Sequence, residues 1–436
     1  MDHLFLERMK QILSEDDYLK FVKSLDEDNI RGLLLNRKYM NDEAFSKLEK
    51  SFSLAKISNI VGAYRTDNKY KFGFDPLHHA GAYYITDPSA MLPPISIGKK
   101  DNIHLILDLC AAPGGKTIGL ANMYPDAVII SNEIEYKRAK ILYQNIERMG
   151  LSNVIITNNK PEDFLPYKGM FDLVLVDAPC SGEGMFRKYQ EAIDNWSIEN
   201  INACAKRDKE IVDVAMALIK EKGTLIYSTC TFAPEEDEEI AQYILKNGFE
   251  SIDVKDEYKQ YLTKTDVDYG YKIYPHNNFG EGQFMASFIN QNSLNPATLH
   301  QLKFAHNKLF DEFILKNLNV KIDNYIIEDN VIFYCPTNID FEKLKILNYG
   351  VKLGYIDNKI FKPDHNFFKS FGLLFKNQLK LENDDPRLAK YLRGEQIEGD
   401  VSDGYGIILA LGVPLGGFKA KNGILNNHYP KILRNF

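Results

Sequence analysis

Short apolar runs alternate with longer amphipathic segments along the central part of the chain, from about residue 103 to residue 290. Such runs predict buried parallel strands, and the segments between them predict helices. The predicted strands are Ile103–Leu109, Ala127–Ser131, Val154–Thr157, Phe171–Asp177, Thr224–Ser228, Tyr271–Tyr274 and Phe284–Ile289. The predicted helices are Lys116–Met123, Glu135–Met149, Ile198–Lys220 and Pro234–Lys246. This alternation predicts an α/β fold with a doubly wound sheet.

Less regular patterns flank this core. Before it, we expect helices at Asp16–Leu25 and Asp42–Phe52 and a strand-like piece around Tyr64–Phe74. After it, the polar stretch 290–298, which contains Pro296, predicts a linker. The expected units are a small N-terminal module (1–75), the α/β core (76–290), a connecting α+β segment (291–345) and a glycine-rich, strand-rich end (346–436).

The composition is that of a globular protein, with 44% hydrophobic and 26% charged residues among 436. The N-terminal residues include acids and no long apolar run, unlike a secretory signal. The longest uncharged stretch of apolar character, Gly404 to Gly417, is shorter than the roughly 20 residues of a membrane helix. The five cysteines show neither disulfide nor zinc spacing, which favours a reducing compartment. We therefore expect a soluble, monomeric, cytoplasmic protein without a metal site.

The net charge of −7 is unfavourable for a nucleic-acid-binding protein, because phosphate contacts require basic residues. Any such site must be a local patch. The stretch after Asp403 is a candidate, since it contains Lys419, Lys421, Lys431 and Arg434 and no acidic residue.

A glycine turn joins the first predicted core strand to its helix. Gly114 and Gly115 allow the backbone to approach a ligand closely, and the helix start offers free N–H groups. Glu133 follows the next strand 19 residues after Gly114, near the spacing at which an acid binds ribose hydroxyls in dinucleotide folds. A plain tight turn is the alternative. The two signals together favour a nucleoside cofactor, and S-adenosylmethionine fits better than a nicotinamide because the Gly-x-Gly-x-x-Gly pattern is lacking.

Two cysteines, Cys180 and Cys230, each follow a predicted strand of the same sheet, so both thiols are expected at its carboxyl edge. A thiolate that adds to C6 of a cytosine activates C5 for methylation, which is nucleophilic catalysis. Asp177 would then hydrogen-bond the cytosine, and Lys116 would contact the base or raise the thiolate fraction. The alternatives are structural roles: buried cysteines, a capping aspartate and a solvated lysine.

Three further features receive lesser roles. His78, His79 and His276 have no carboxylate or cysteine at metal-ligand spacing, and we assign them to turns or to RNA contact. Pro275-His276 and Gly280-Glu281-Gly282 lie between late strands and are candidate parts of a base pocket. The acidic run 235–239 is expected to form the first turn of the helix that Pro234 begins.

Several of these residues belong to longer motifs. The motifs are Cys110–Thr117 (CAAPGGKT), Asp177–Lys188 (DAPCSGEGMFRK), Tyr227–Phe232 (YSTCTF), Gly81–Tyr84 with Pro88–Met91, and Pro275-His276 with Gly280–Gly282. They resemble the RNA 5-methylcytosine methyltransferases of the NOL/NOP/Sun family, and more closely the bacterial RsmF-type members. The tail resembles the PUA-like RNA-binding region of that group at Asp385–Leu388, Tyr391–Glu395 and Asn427–Lys431, although Pro414–Lys419 lacks the tryptophan common in relatives.

The resemblance implies a class I, Rossmann-like methyltransferase core between RNA-binding modules at 1–75 and 346–436. It implies that Cys230 is the nucleophile and that Cys180 helps to break the adduct; the reverse assignment is an alternative. The implied S-adenosylmethionine-binding residues are Cys110, Ala111, Ala112, Pro113, Gly114, Gly115, Lys116, Glu133, Arg138 and Asp177. Members often present an aspartate to the adenine after the third strand, where this chain offers Asn159 or Lys160.

The implied activity is methylation of cytosine C5 in RNA. The expected substrate is 16S ribosomal RNA near the decoding site, free or in the small ribosomal subunit. One alternative is the same chemistry on transfer RNA. An alternative of another class is a non-catalytic ribosome-assembly factor, which is disfavoured because a protein that only binds RNA does not need two thiols at one crevice.

Overall fold

The computed structural model describes residues 2–40, 45, 54–66, 70–265, 267, 269–293 and 295–434. The helix expected at Asp42–Phe52 lies outside these residues, apart from Phe45. Within the described ranges, no helix combines the length and the apolar character needed to cross a membrane.

The N-terminal module combines two helices with an antiparallel sheet. Asp2 and Ser14 cap the two helices, because their side chains accept hydrogen bonds from the free N–H groups of each first turn. The helices are α1 (His3–Ile12), α2 (Glu15–Ser24) and the short α3 (Pro76–Ala80). The strands are β1 (Arg31–Leu35), β2 (Leu54–Lys56), β3 (Ala63–Thr66) and β4 (Tyr83–Thr86), in the order β2-β3-β1-β4.

The end of this module differs from the boundary expected at residue 75. Strand β4 pairs antiparallel with β1, with Leu34 opposite Tyr84, so the N-terminal sheet continues to Thr86. The sequence could not show this, since the alternation of apolar residues marks a strand but does not identify its partner.

The core is a mixed sheet with helices on both faces. Its strands are β5 (Leu105–Asp108), β6 (Val128–Asn132), β7 (Val154–Thr157), β8 (Phe171–Asp177), β9 (Ile219–Thr229), β10 (Phe249–Ile252), β11 (Thr263–Lys264), β12 (Tyr271–Ile273) and β13 (Gln283–Asn290). Its helices are α4 (Gly115–Met123), α5 (Tyr136–Met149), α6 (Gln190–Asp194), α7 (Ile198–Leu218) and α8 (Glu238–Lys246). Strands β7-β6-β5-β8-β9 are parallel neighbours in that order, and β13 lies antiparallel beside β9. The predicted doubly wound α/β core is confirmed.

Alternating side chains of these strands pack into two apolar layers, one on each face. Ile106 and Leu173 belong to one layer, and their neighbours Leu107 and Val174 belong to the other. Burial on both faces explains why the strands are almost continuously apolar.

The C-terminal part forms two further sheets. The first contains β14 (Tyr325–Glu328), β15 (Val331–Tyr334), β17 (Val351–Asp357) and β18 (Ile360–Pro363), with helices α9 (Lys308–Asn317) and α10 (His365–Phe371). The second contains β19 (Gln378–Leu381), β20 (Ile397–Glu398), β21 (Gly404–Ala410), β22 (Val413–Lys421) and β23 (Ile424–Asn427), with helix α11 (Pro386–Leu392). The first sheet spans the boundary expected at residue 345, and β16 (Ile346–Asn348) joins the core sheet beside β7.

Candidate active site

The carboxyl ends of the parallel strands meet along one edge of the core sheet. Asp177 is the last residue of β8, Cys230 directly follows β9, and Glu133 directly follows β6. The sequence places these residues far apart, and the parallel pairing of their strands brings them to this edge.

Cys180 and Cys230 lie side by side. Their Sγ atoms are 3.2 Å apart, and the backbone N–H of Cys230 donates to the Cys180 sulfur at 3.3 Å. The sulfur of Cys230 and burial together raise the pKa of the Cys180 thiol. Two thiols in this position can divide nucleophilic attack and proton transfer between them.

Asp177 and Lys116 form an ion pair beside the two thiols. The Lys116 ammonium lies 2.8 Å from Asp177 Oδ2, and the side chain of Lys116 is almost buried. The Ser228 hydroxyl donates to Asp177 Oδ1 at 2.8 Å, and the Gln283 amide donates to the same oxygen at 3.4 Å. The Lys116 side chain is therefore held in an ion pair, in contrast to the alternative of a solvated side chain.

The glycine turn at Gly114 and Gly115 joins strand β5 to helix α4, as the sequence predicts. Gly114 caps helix α4 with a φ of 114°, which is a left-handed conformation that glycine adopts without strain. Asp108 at the end of β5 accepts a hydrogen bond from the Thr117 hydroxyl at 2.7 Å, and burial raises the pKa of Asp108 to about 7.

A cavity of about 470 Å³ opens beside this turn and reaches both cysteines. Its lining includes Leu109, Cys110, Ala112, Asn132, Glu133, Ile134, Arg138, Lys160, Pro161, Glu162, Asp177, Ala178, Pro179, Cys180, Arg207, Glu210, Ile211 and Cys230. The lining does not include the predicted residues Ala111, Pro113, Gly114, Gly115, Lys116 and Asn159.

The cavity wall around Glu133 suits a nucleoside. Glu133 is buried at the end of β6, and its carboxylate accepts from the backbone N–H of Glu135 at 2.9 Å and lies 3.4 Å from Arg138. Arg138 also donates to the carbonyl of Ala112 at 3.0 Å, which ties helix α5 to the glycine turn. The exposed apolar side chain of Ile134 lies beside this carboxylate. A carboxylate for hydroxyl groups and an apolar surface for a ring are thus adjacent.

The two residues considered for adenine contact lie differently. The Asn159 amide donates to the carbonyl of Lys345 at 3.1 Å and accepts from its N–H at 2.9 Å, so it fastens the segment before β16 to the core. Lys160 lines the cavity.

The remaining candidates take structural positions. Glu281 is fully buried; it pairs with Arg187 at 2.8 Å and accepts from the N–H of Ile30 at 2.7 Å. The ring of His276 stacks on Tyr274 with 5.4 Å between centroids. Neither lines the cavity.

The basic residues of the C-terminal stretch divide into two groups. Lys419, Lys421 and Lys431 are exposed. Arg434 is partly buried, donates to the carbonyl of Tyr429 at 3.3 Å and packs closely on Gly394, so it supports the fold.

Several residues of the cavity lining were not predicted from the sequence, among them Ile134, Glu162 and Arg207. Ile134 could have been found from its place directly after a strand-end acid, whereas no local signal marks Glu162 or Arg207 as lining the cavity. The acidic run also differs from expectation: helix α8 begins at Glu238, and Glu236 and Asp237 are turned inward and fully buried.

Three family models match the chain. Residues 96–289 match 16S rRNA methyltransferase RsmB/F, residues 1–88 match the N-terminal domain of 16S rRNA methyltransferase RsmF, and residues 378–435 match the methyltransferase RsmF PUA domain.

Individual proteins agree with these matches. Ribosomal RNA small subunit methyltransferase F of Shewanella piezotolerans is 28% identical over 396 residues, which cover 85% of this chain and 82% of that protein. Among solved structures, a methyltransferase homolog protein from Pyrococcus horikoshii superposes with a TM-score of 0.55 and 24% identity, over 66% of this chain and 95% of that one. NSun6 from Pyrococcus horikoshii with SFG gives a TM-score of 0.53 and 16% identity, over 66% and 98%. The two structures share the fold of this chain.

Proposed function

The chain belongs to the RsmB/RsmF family of S-adenosylmethionine-dependent RNA methyltransferases, and we propose that it methylates carbon 5 of a cytosine in 16S ribosomal RNA near the decoding site. The observation that carries this proposal is the pair of thiols 3.2 Å apart at a cavity suited to a nucleoside. The protein would act as a monomer in the cytoplasm, on free RNA or on the small ribosomal subunit. A reducing compartment suits the proposal because the proposed chemistry needs Cys180 and Cys230 as free thiols.

The cofactor, S-adenosylmethionine, supplies an electrophilic methyl group attached to a sulfonium. Glu133 would accept hydrogen bonds from the ribose, and Ile134 would pack against the adenine with Lys160 and Glu162 nearby. The turn from Cys110 to Gly115 would hold the remainder of the cofactor. Arg138 would keep that turn in place through Ala112, and Asn159 would support this end of the site from behind.

The reaction begins when a cytosine is turned out of its stack into the site, which costs a few kcal/mol. The Cys230 thiolate adds to C6, so an S–C6 bond forms and the electrons of the C5–C6 double bond shift towards C5. Carbon 5 then takes the methyl group. Asp177 holds the ring by accepting a hydrogen bond from its exocyclic amine, and Lys116 fixes the position and charge of that carboxylate.

Release requires loss of the C5 proton, which restores the C5–C6 double bond and expels Cys230 as a thiolate. We assign the removal of this proton to Cys180. In the free enzyme, the Cys230 sulfur is the first cause of the raised pKa of Cys180. Once Cys230 is bonded to carbon, that cause is removed, so Cys180 can give its proton to solvent and act as the base.

Two cysteine variants test these roles with RNA and S-adenosylmethionine. Cys230→Ala should abolish methyl transfer and retain cofactor binding. Cys180→Ala should accumulate protein covalently bound to RNA, visible as a slowly migrating band on a denaturing gel. Cys335→Ala, at a buried cysteine of the C-terminal part, is the matched control. An adduct with Cys230→Ala instead would exchange the two roles, and normal turnover by both variants would refute the proposed chemistry.

Bisulfite sequencing of RNA from cells with and without the gene identifies the substrate. Loss of signal at a cytosine of 16S ribosomal RNA near the decoding site is expected. Loss in transfer RNA would retain the chemistry and change the substrate, and no change would favour an assembly factor.

A further inference from the structure

A buried carboxylate behind the cavity connects the turns that carry the two cysteines. Glu236 is fully buried and does not line the cavity. Its two oxygens accept from Ser181, one from the backbone N–H at 2.8 Å and one from the hydroxyl at 2.5 Å. The Ser181 hydroxyl lies 2.8 Å from that of Thr231. Because Ser181 directly follows Cys180 and Thr231 directly follows Cys230, one carboxylate restrains both turns.

Neighbouring acids accept further hydrogen bonds around these two turns, and they do not replace the contact of Glu236 with Ser181. The Thr229 hydroxyl donates to buried Asp237 at 2.5 Å, and the N–H of Phe232 donates to Glu183 at 2.9 Å. The Tyr227 hydroxyl donates to the carbonyl of Glu236 at 2.6 Å, which holds the carboxylate-bearing segment itself against strand β9.

The two cysteines depend on these hydrogen bonds to different extents. Cys230 directly follows β9, which pairs with β8 on one side and β13 on the other, with Thr229 opposite Phe284. Cys180 lies in a loop beyond the last residue of β8. The last backbone hydrogen bond before Cys180 is that of the Ala178 N–H to the Ser228 carbonyl at 2.8 Å, and beyond it the shortest contact of the turn is that of the Ser181 hydroxyl with Glu236.

We propose that Glu236 is the positioning residue that holds Cys180 beside Cys230, so that its loss slows release of the methylated RNA more than attack on the cytosine. This inference rests on the proposed function. Proton transfer depends steeply on placement, and a displacement of about 1 Å costs up to about 100-fold in rate. The rate of attack by Cys230 should change less, because the core sheet itself holds that residue.

The test compares Glu236→Gln with Glu235→Gln in the full-length protein. Glutamine has the same shape and can turn its carbonyl oxygen to the Ser181 N–H, but its NH₂ group cannot accept the hydrogen bond that the Ser181 hydroxyl donates to the second carboxylate oxygen. Glu235 is the matched control, since it is the adjacent acid and pairs with Arg8 at 2.7 Å, away from both cysteines. The measurements are single-turnover methylation, steady-state kcat and KM for RNA, and the fraction of covalent adduct on a denaturing gel.

Glu236→Gln should keep single-turnover methylation within about threefold of the parent, reduce kcat by about tenfold or more with a parallel fall in KM for RNA, and accumulate adduct as Cys180→Ala does. Glu235→Gln should behave as the parent. Ser181→Ala, which removes only the hydroxyl arm, should show the same pattern more weakly and gives a result even if Glu236→Gln fails to fold.

Equal losses in single-turnover and steady-state rates, without adduct, would overturn the inference in favour of a purely structural role. Parent-like turnover by both Glu236→Gln and Ser181→Ala would also overturn it. If Cys180→Ala accumulates adduct while these variants do not, the inference alone fails. If Cys180→Ala forms none either, the proposed function fails with it.

Discussion

At the scale of single residues, Asp208 is a buried carboxyl group with few hydrogen-bond partners. This aspartate of helix α7 is fully buried; its Oδ2 accepts weakly from Tyr227 at 3.4 Å, and within the described residues its Oδ1 has no hydrogen-bond partner. Burial is the main cause that raises the pKa of Asp208 to about 8. Between roughly pH 4 and pH 8 the folded carboxyl thus keeps a proton that the unfolded chain has lost, so stability falls as pH rises through this range.

Asp208→Asn should therefore stabilise the protein in alkaline solution. The amide is neutral at every pH and needs no proton, so the variant does not lose stability as the parent does when pH rises. The melting temperature measured from pH 5 to pH 9 should show a difference from the parent that grows with pH. Asp126→Asn, at an exposed aspartate, controls for the change in net charge. A difference independent of pH would contradict the assigned protonation state.

At the scale of elements, the loops at the sheet edge touch backbone to backbone. The N–H of Gly184 donates to the carbonyl of Cys230 at 2.9 Å. A Cβ on Gly184 would lie 2.9 Å from the Cα of Gly282 and 3.0 Å from that carbonyl oxygen. Gly182, two residues earlier, has a φ of 75° but nothing within 4 Å of its Cβ position.

These two glycines should therefore respond differently to alanine. Gly184→Ala should reduce kcat by about tenfold or more, because the added carbon displaces the backbone of Cys230. Gly182→Ala should cost about 1–2 kcal/mol of stability through its left-handed backbone and leave kcat near that of the parent. Steady-state methylation and urea unfolding of both variants separate the two effects. Equal kcat values for the two variants would show that the steric contact does not reach the nucleophile.

Local patterns predicted the core elements and left their partners open. The apolar run Phe171–Asp177 matches strand β8, and the boundaries of helices α4 and α5 differ from expectation by one residue at their starts. The pairing of β4 with β1 and of β16 with β7 joins segments distant in sequence, and no local period encodes such contacts.

The same limit applies to the site. The residue types of the cysteines, of Asp177 and of the glycine turn indicate their possible chemistry directly. The sequence does not indicate that Glu236 and Asp237 are buried, because a run of acids after Pro234 equally suits an exposed helix start. The hydrogen bonds of Asn159 to Lys345 likewise join residues that only the folded sheet brings together.

At the scale of the whole molecule, the two ends of the chain pack on each other. Leu33 and Tyr83 of the N-terminal sheet share an apolar cluster with Leu415 and Phe418 of the C-terminal sheet. Buried Lys369 of helix α10 bridges this junction, because its Nζ atom hydrogen-bonds the carbonyls of His79 and Ala80 on one side and of Pro414 on the other. RNA-binding surfaces on the two modules would therefore have a fixed relation to each other.

The net charge of −7 requires that RNA be held by local basic surfaces, and strand β22 offers one. Lys419 and Lys421 are exposed and separated by buried Ala420, so they share one face of the strand, and Lys419 lies 5.1 Å from the centre of the Tyr405 ring. Lys419→Glu combined with Lys421→Glu should weaken RNA binding and reduce the slope of log affinity against log salt by about 1.4, as expected for two lost phosphate contacts on single-stranded RNA. The measurement is a salt titration of RNA affinity, with the exposed Lys308→Glu variant of helix α9 as a control for charge. An unchanged slope in the double variant would place the RNA on another face, whereas an equal change in the control would indicate a general effect of net charge.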